Sequence, residues 1–240
     1  MTFDGAVALV TGSTRGIGAA TAALLAQRGA RVLVTGRDAR RGMRVVDTIR
    51  GAGGTADFIA AALGDAHQCA TLANHALVVA GRVDILVNNA AIASFGPSAT
   101  IPEDEFDTCF AVNVKAPYYL VGELAPLMAE RGRGVIVNVS TVVASRGTAQ
   151  SAVYASSKAA LNHLTRCWAA EYGPQGVRVN AVAPGPTLTD DALSAMVERV
   201  PARRLALPAE IASTIAYLAS DEASFINGAI LPADGGRTAV

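Results

Sequence analysis

The sequence predicts a doubly wound α/β fold, a parallel, Rossmann-like sheet of about seven strands with helices on both faces. Three observations predict it. Short β-branched apolar runs alternate along the chain with longer helical patterns. The connections between them are short. Several of the runs are apolar almost throughout rather than alternating, as strands covered on both faces must be.

Ala6–Val10 opens the sheet and leads through a glycine-rich turn into a helix read at Gly16–Arg28, stopped by Gly29. Arg31–Thr35 is the second strand, and Ala39–Arg50 a helix stopped by Gly51. Ala56–Ala60, the helix Ala66–Val79 and the strand Val83–Asn88 continue the alternation. Thr100-Ile101-Pro102-Glu103 has the form of a capping box, with Thr100 as N-cap and Glu103 reaching back, so one long helix is expected over Glu103–Glu130. Gly134–Val139 is the fifth strand and Ala152–Tyr172 a helix closed by Gly173. Arg178–Ala183, the helix Ala209–Ala219 and Ala229–Leu231 complete the order. No low-complexity linker and no fixed-period repeat interrupts it, so residues 1–240 read as one domain.

Composition narrows the function classes. Of 240 residues 51% are apolar and 17% charged, enough for a substantial core. Twenty basic residues balance twenty acidic ones, which removes the electrostatic basis for nucleic-acid binding or attraction to an anionic membrane. The N-terminus lacks a basic, signal-like region, and no apolar run is long enough to span a bilayer. Cys69, Cys109 and Cys167 are widely spaced and form no C-x-x-C pair, and His67, His75 and His163 show no ligand spacing. A cytoplasmic, metal-free protein with reduced thiols is expected. Only Lys115 and Lys158 are lysines; arginine carries the remaining basic charge.

Thr11-Gly12-Ser13-Thr14-Arg15-Gly16-Ile17-Gly18 follows the first strand and opens the first helix. Glycines let the backbone approach a pyrophosphate, and the helix N-terminus offers unpaired N–H groups. The spacing G-x-x-x-G-x-G differs from the usual G-x-G-x-x-G fingerprint, and a tight turn without ligand is the plain alternative. Tyr154 and Lys158, spaced i, i+4, share one helix face. Lowering a phenol pKa from near 10 by ~3 units requires roughly 4 kcal/mol. One ammonium at about 4 Å, at an effective dielectric near 20, supplies roughly that amount. The pair could then act as general base or general acid; a packed Tyr beside a solvated Lys is the bland reading.

Together with Asn88-Asn89-Ala90-Ala91, Ser140 and Pro184-Gly185, these motifs resemble the short-chain dehydrogenase/reductase family over essentially the whole chain, in the right order. The resemblance implies one dinucleotide-binding and catalytic domain. It implies that Tyr154 transfers the proton, that Lys158 lowers the Tyr154 pKa and holds the nicotinamide ribose, and that Ser140 hydrogen-bonds the reacting oxygen. Asn113 matches the family's helix asparagine, which helps hold a water in a proton relay. Gly12, Ser13, Arg15, Gly16, Ile17 and Gly18 would cradle the cofactor with Leu63 and Asn89. Pro184, Gly185, Thr187 and Thr189 would close over the nicotinamide. Two positions depart from the pattern: Ala91 stands where the family usually has glycine, and Ala62 where it often has an aspartate contacting adenine.

Cofactor choice is set at the end of the second strand, where an acid would grip the ribose 2′-hydroxyl. Val34-Thr35-Gly36-Arg37-Asp38 has no acid at the strand end, and Arg37 with Arg15 could bind a 2′-phosphate. NADP(H) is therefore favoured, with NAD(H) the alternative. The expected activity is hydride transfer between this cofactor and a small-molecule ketone or secondary alcohol. A catalytically silent sensor or scaffold is the competing class, against which Ser140, Tyr154, Lys158 and Asn113 all speak; a methyltransferase would have no use for the tyrosine–lysine helix. The substrate pocket is expected from Thr141–Ser151 and from Thr187 to about Leu207, which do not name a substrate. Apolar residues beyond one stripe on Glu103–Glu130 and Ala152–Tyr172 fit subunit association, and the resemblance implies a homo-tetramer, with a dimer the alternative.

Overall fold

The computed structural model describes residues 2–188, 197–198 and 200–239. Its strands are β1 (Val7–Val10), β2 (Arg31–Gly36), β3 (Thr55–Ala60), β4 (Ile85–Asn88), β5 (Gly134–Val139), β6 (Val177–Pro184) and β7 (Ile230–Ala233). They form one parallel sheet in the order β3-β2-β1-β4-β5-β6-β7. Helices α1 (Gly16–Gln27), α2 (Ala39–Gly51), α3 (Ala66–Ala80), α4 (Glu103–Phe110), α5 (Ala116–Glu130), α6 (Ala152–Tyr172) and α7 (Pro208–Ala219) surround it. The chain winds outward from β1 to β3, then returns to β4 and winds the other way. The carboxyl ends of β1 and β4 are thus the switch point, where open α/β sheets bind ligands.

The inner strands β1, β2, β4, β5 and β6 bury both faces, which is why their sequences are apolar almost throughout, whereas the edge strands β3 and β7 are partly exposed. In β1, Ala8 and Val10 pack into a core with Leu25 of α1, Val46 of α2 and Ile215 of α7. Val7 and Leu9 point the other way, into a core with Leu72 of α3, Leu124 of α5 and Leu161 and Trp168 of α6. A buried polar thread then fixes α6 to the sheet. Asn88 on β4 donates to Asn138 on β5 (2.9 Å), Asn138 to the Thr165 hydroxyl of α6 (2.8 Å), and Thr165 to the Leu161 carbonyl (2.8 Å). Among the described residues, no helix is long and apolar enough to cross a membrane.

Most predicted boundaries agree with the observed ones to within two residues; four readings do not. Thr100 is not an N-cap: its hydroxyl donates to the Pro97 carbonyl (3.2 Å), and Pro102 stands at the N-cap with no side-chain cap. Proline there pushes the preceding residue out of helical conformation, so the box cannot form. The long helix is broken by a wide π turn at Ala111–Lys115, between α4 and α5. Pro117 supplies the reason, since it has no N–H for the Asn113 carbonyl and its ring would collide with it in a regular helix. Gly29 does take the left-handed conformation that ends a helix (φ +97°), but Gly51 is still helical and Gly53 (φ +86°) takes that role. Likewise Gly173 begins a short 3₁₀ turn that extends α6, and Gly176 (φ +81°) ends it.

Candidate active site

The turn from β1 to α1 is held from beneath by the end of β4. Asn89 donates its side-chain amide to the carbonyls of Thr11 (2.9 Å) and Gly12 (3.0 Å). The Thr11 hydroxyl accepts from the N–H groups of Asn89 (2.9 Å) and Ala90 (3.0 Å) and donates to the Val87 carbonyl (3.2 Å). This close packing requires glycine: a Cβ on Gly12 (φ +62°) would stand 2.8 Å from the Ala90 Cα, and one on Gly18 would overlap the Asn89 amide. No side chain caps the first turn of α1, whose N–H groups are thereby available to an anion. Ser13 departs from expectation. It is fully buried, and its hydroxyl donates to the Val10 carbonyl (2.7 Å) and accepts from the Thr35 N–H (2.9 Å), tying β1 to β2.

Over this turn lies a cleft of about 930 Å³, large enough for a dinucleotide. Gly12, Arg15, Gly16, Ile17 and Gly18 line it, as do Arg37, Leu63 and Asn89. Ala62 and Ala91, the two departures from the family pattern, line it too. Thr14, Gln68 and Thr108 also face it; Thr14 lies within the glycine-rich motif but was not singled out as a contact, and Gln68 and Thr108, uncharged and outside any motif, carry no sequence signal. Asp38, the first acid beyond β2, is committed elsewhere. Its carboxylate caps α2 by accepting from the Arg41 N–H (3.0 Å) and pairs with the Arg41 guanidinium (3.2 Å). These contacts, the backbone one foremost, hold its carboxyl below the usual range.

Outside the residues that line this cleft, Ser140 follows β5, and its hydroxyl is buried without a partner. The Lys158 ammonium, also buried, donates to the carbonyl of Val139 (2.7 Å), the residue before Ser140. The Tyr154 hydroxyl lies near the side chain of Thr141, the residue after Ser140, close enough for that side chain to lower its pKa. Helix α6 thus applies both groups to the end of β5, on either side of Ser140. Burial holds the Lys158 pKa down to about 8. The Tyr154 phenol runs against expectation: burial, with a smaller contribution from Cys109, pushes it up to about 12, and the Thr141 side chain offsets this only in part. Lys158 lies one helical turn away, but its head group is turned to the Val139 carbonyl, so desolvation wins.

The Asn113 side chain is wholly committed within the protein. Its amide accepts from the Ile92 N–H (2.9 Å) and donates to the Ile92 carbonyl (2.8 Å) and the Ser157 hydroxyl (3.0 Å). Ser157 in turn donates to the Tyr154 carbonyl (2.7 Å). The wide turn at 111–115 points this asparagine inward, where it pins the loop after β4 to the helix that carries Tyr154. Thr141 and Ser157 were not singled out from sequence, although both adjoin residues that were. Pro184 ends β6, and Gly185 is packed so closely on the turn at Asp234 that a Cβ would lie 2.7 Å from the Asp234 Cα. The Thr187 hydroxyl donates to the Gly185 carbonyl (3.0 Å). Thr189 lies outside the described residues.

A family model described as enoyl-(acyl carrier protein) reductase matches residues 12–238. An uncharacterized oxidoreductase of Thermotoga maritima is 40% identical over 254 residues, covering 100% of both chains. A solved structure described as a short chain dehydrogenase/reductase family protein is 45% identical and covers 100% of both chains, with a TM-score of 0.93. A 7α-hydroxysteroid dehydrogenase complexed with NADH and 7-oxo glycochenodeoxycholic acid is 35% identical, with 98% of this chain and 95% of that one covered and a TM-score of 0.94.

Proposed function

The chain belongs to the short-chain dehydrogenase/reductase family and is an oxidoreductase acting on carbonyl or alcohol groups, and from this premise we propose that it is an NADPH-dependent reductase of a small-molecule ketone. The observation that carries the reading is the arrangement at the end of β5. Ser140, whose hydroxyl is buried and unpartnered, stands in the chain between Val139, whose carbonyl holds the buried Lys158 ammonium, and Thr141, whose side chain neighbours the Tyr154 phenol, and a substrate oxygen would satisfy that hydroxyl.

The nicotinamide supplies the hydride when bound. Tyr154 Oη gives its proton to the substrate oxygen, and Ser140 Oγ donates a hydrogen bond to the same oxygen. Lys158 stabilises the phenolate left behind. Near neutral pH a phenol held at about 12 is protonated and an ammonium held at about 8 is charged, the state from which reduction starts. Asn113 and Ser157 act through position, holding the Ile92 loop and the Tyr154 backbone. The cofactor's phosphates would lie on the glycine turn between Gly12 and Gly18, with Leu63 and Asn89 beside it. Pro184, Gly185, Thr187 and Thr189 are assigned to the nicotinamide end.

The preference for the 2′-phosphate rests on Arg15 and Arg37 lining the cleft while Asp38 is held by Arg41. A ribose 2′-hydroxyl thus loses its usual acidic partner. Exposed Phe106, Tyr118 and Tyr119 on α4 and α5 support association into a homo-tetramer, and three free cysteines support a reducing, cytoplasmic setting. The reading treats residues 1–240 as one cofactor-binding and catalytic domain.

The test is a panel of ketones with NADPH and NADH, followed by loss of nicotinamide absorbance. NADPH should give a kcat/KM at least about tenfold higher, and Arg37→Ala should narrow that ratio to within about threefold. Equal kcat/KM for both cofactors in the native enzyme would defeat the assignment.

A further inference from the structure

Phe95 lies in the loop after β4, and its ring centroid is 5.5 Å from that of Tyr154, with the two planes at 60°. It is nevertheless 60% exposed. A single exposed aromatic needs no explanation by itself, but this one is held in place. On one side of it, Ile92 is gripped through both its N–H and its carbonyl by Asn113. On the other, the Gly96 N–H donates to the Gln150 carbonyl (2.7 Å). Gln150 takes a left-handed conformation (φ +63°) to present that carbonyl, and such strain in a non-glycine residue gathers at ligand clamps. Between the two anchors, the Ser94 hydroxyl is buried without a partner. The protein therefore fixes an exposed aromatic ring against the ring of Tyr154, the residue that would move the proton.

We propose that Phe95 is a stacking platform that selects flat ring ketones over open-chain ones, an inference that rests on carbonyl reduction at Tyr154. Two rings inclined at 60° form an open corner. A planar ketone can lay its face on Phe95 while its oxygen reaches the Tyr154 hydroxyl, covering apolar area in an arrangement aromatic pairs favour. An open-chain ketone covers less of that face and gives up more rotamer freedom in doing so.

The experiment compares 1-tetralone with ethyl acetoacetate as substrates of the native enzyme and of Phe95→Ala, Phe95→Leu and Phe95→Tyr. Phe95→Ala should lower kcat/KM for 1-tetralone about 30-fold, mostly through KM, and change that for ethyl acetoacetate less than about threefold. Phe95→Tyr should keep the native values, whereas Phe95→Leu, with bulk but no flat face, should fall between. Equal losses on both ketones, or full activity in Phe95→Leu, would overturn the platform. Calorimetric binding of 1-tetralone to the NADP⁺-saturated enzyme separates the two readings. Binding that depends on Phe95 without turnover of any ketone sinks the reductase and leaves the platform. Turnover or binding indifferent to Phe95, or no binding of 1-tetralone at all, sinks the platform and leaves the reductase to its own test.

Discussion

The glycine turn at one end of the site and the end of β5 at the other are built on opposite terms. At the glycine turn the side chains are satisfied and only the first N–H groups of α1 stay open: Thr11, Ser13 and Asn89 all have hydrogen-bond partners, and Gly12 and Gly18 are packed against Ala90 and Asn89. At the end of β5, polar groups are held away from water with too few partners. The Ser140 hydroxyl has none, the Lys158 ammonium has one carbonyl, and the Tyr154 phenol is held protonated by burial. Backbone and strand packing make the first end a rigid seat, so damage there should lower stability and cofactor affinity together. The second end keeps unmet polar demand that a substrate can answer, so damage there should cost turnover while leaving stability intact.

Tyr154→Phe tests the second end most severely. Removing the one hydroxyl that delivers the proton should lower kcat about 10³-fold, while cofactor affinity, measured by fluorescence of the bound reduced nicotinamide, should change less than about threefold. A variant that keeps full turnover would break the comparison at its root. Ser140→Ala follows, with a loss of about 10²-fold in kcat, the usual cost of one donor to a reacting oxygen. Its melting temperature should hold or rise slightly, because an unpartnered buried hydroxyl costs about 1–3 kcal/mol. A clear fall in melting temperature would mean that Ser140 is structural after all.

Gly18→Ala probes the finished end, with the reverse pattern. The added methyl meets the Asn89 amide and the Gly12 carbonyl, and overpacking of this kind costs about 1–3 kcal/mol, which for a chain of this size lowers the melting temperature by roughly 2–12 °C. Cofactor KM should rise about tenfold, with kcat at saturation largely kept. Loss of kcat alone would show that the turn takes part in the chemistry rather than only seating the cofactor.

How far each end was legible follows from the same contrast. The strand Gly134–Val139 and the helix Ala152–Tyr172 agree with the sequence reading at both ends, because local pattern alone specifies a buried strand and a long helix. The i, i+4 spacing of Tyr154 and Lys158 was legible for the same reason. What escaped depended on contacts between distant residues. The π turn is explained by Asn113 meeting Ile92, 21 residues away, and by Pro117. Ser13, read as a cofactor contact, turns inward to meet Thr35, 22 residues on. The Tyr154 pKa was misjudged because spacing shows that a cation is near, but not how much water burial has removed or where the ammonium points. Asp38 was visible as an acid, but its commitment to Arg41 was not.

The last test separates the two ends by pH. Tyr154, near 12, stays protonated from pH 6 to 9, so any titration of the reductive rate in that range belongs to Lys158, near 8. Reduction leaves a phenolate that needs the ammonium, so kcat should bend downward near pH 8 and fall roughly tenfold between pH 7 and 9. Unfolding cannot mimic this through Lys158. Its folded pKa is depressed from 10.5 to about 8, so the unfolded chain binds the proton more tightly. The resulting penalty on the fold is complete below pH 8 and lifts between pH 8 and 10.5, so this group stabilises the protein relatively over the interval in which the rate declines. Cofactor affinity, set at the glycine turn, should stay level. A flat rate with falling affinity would place the titrating group at the wrong end of the site.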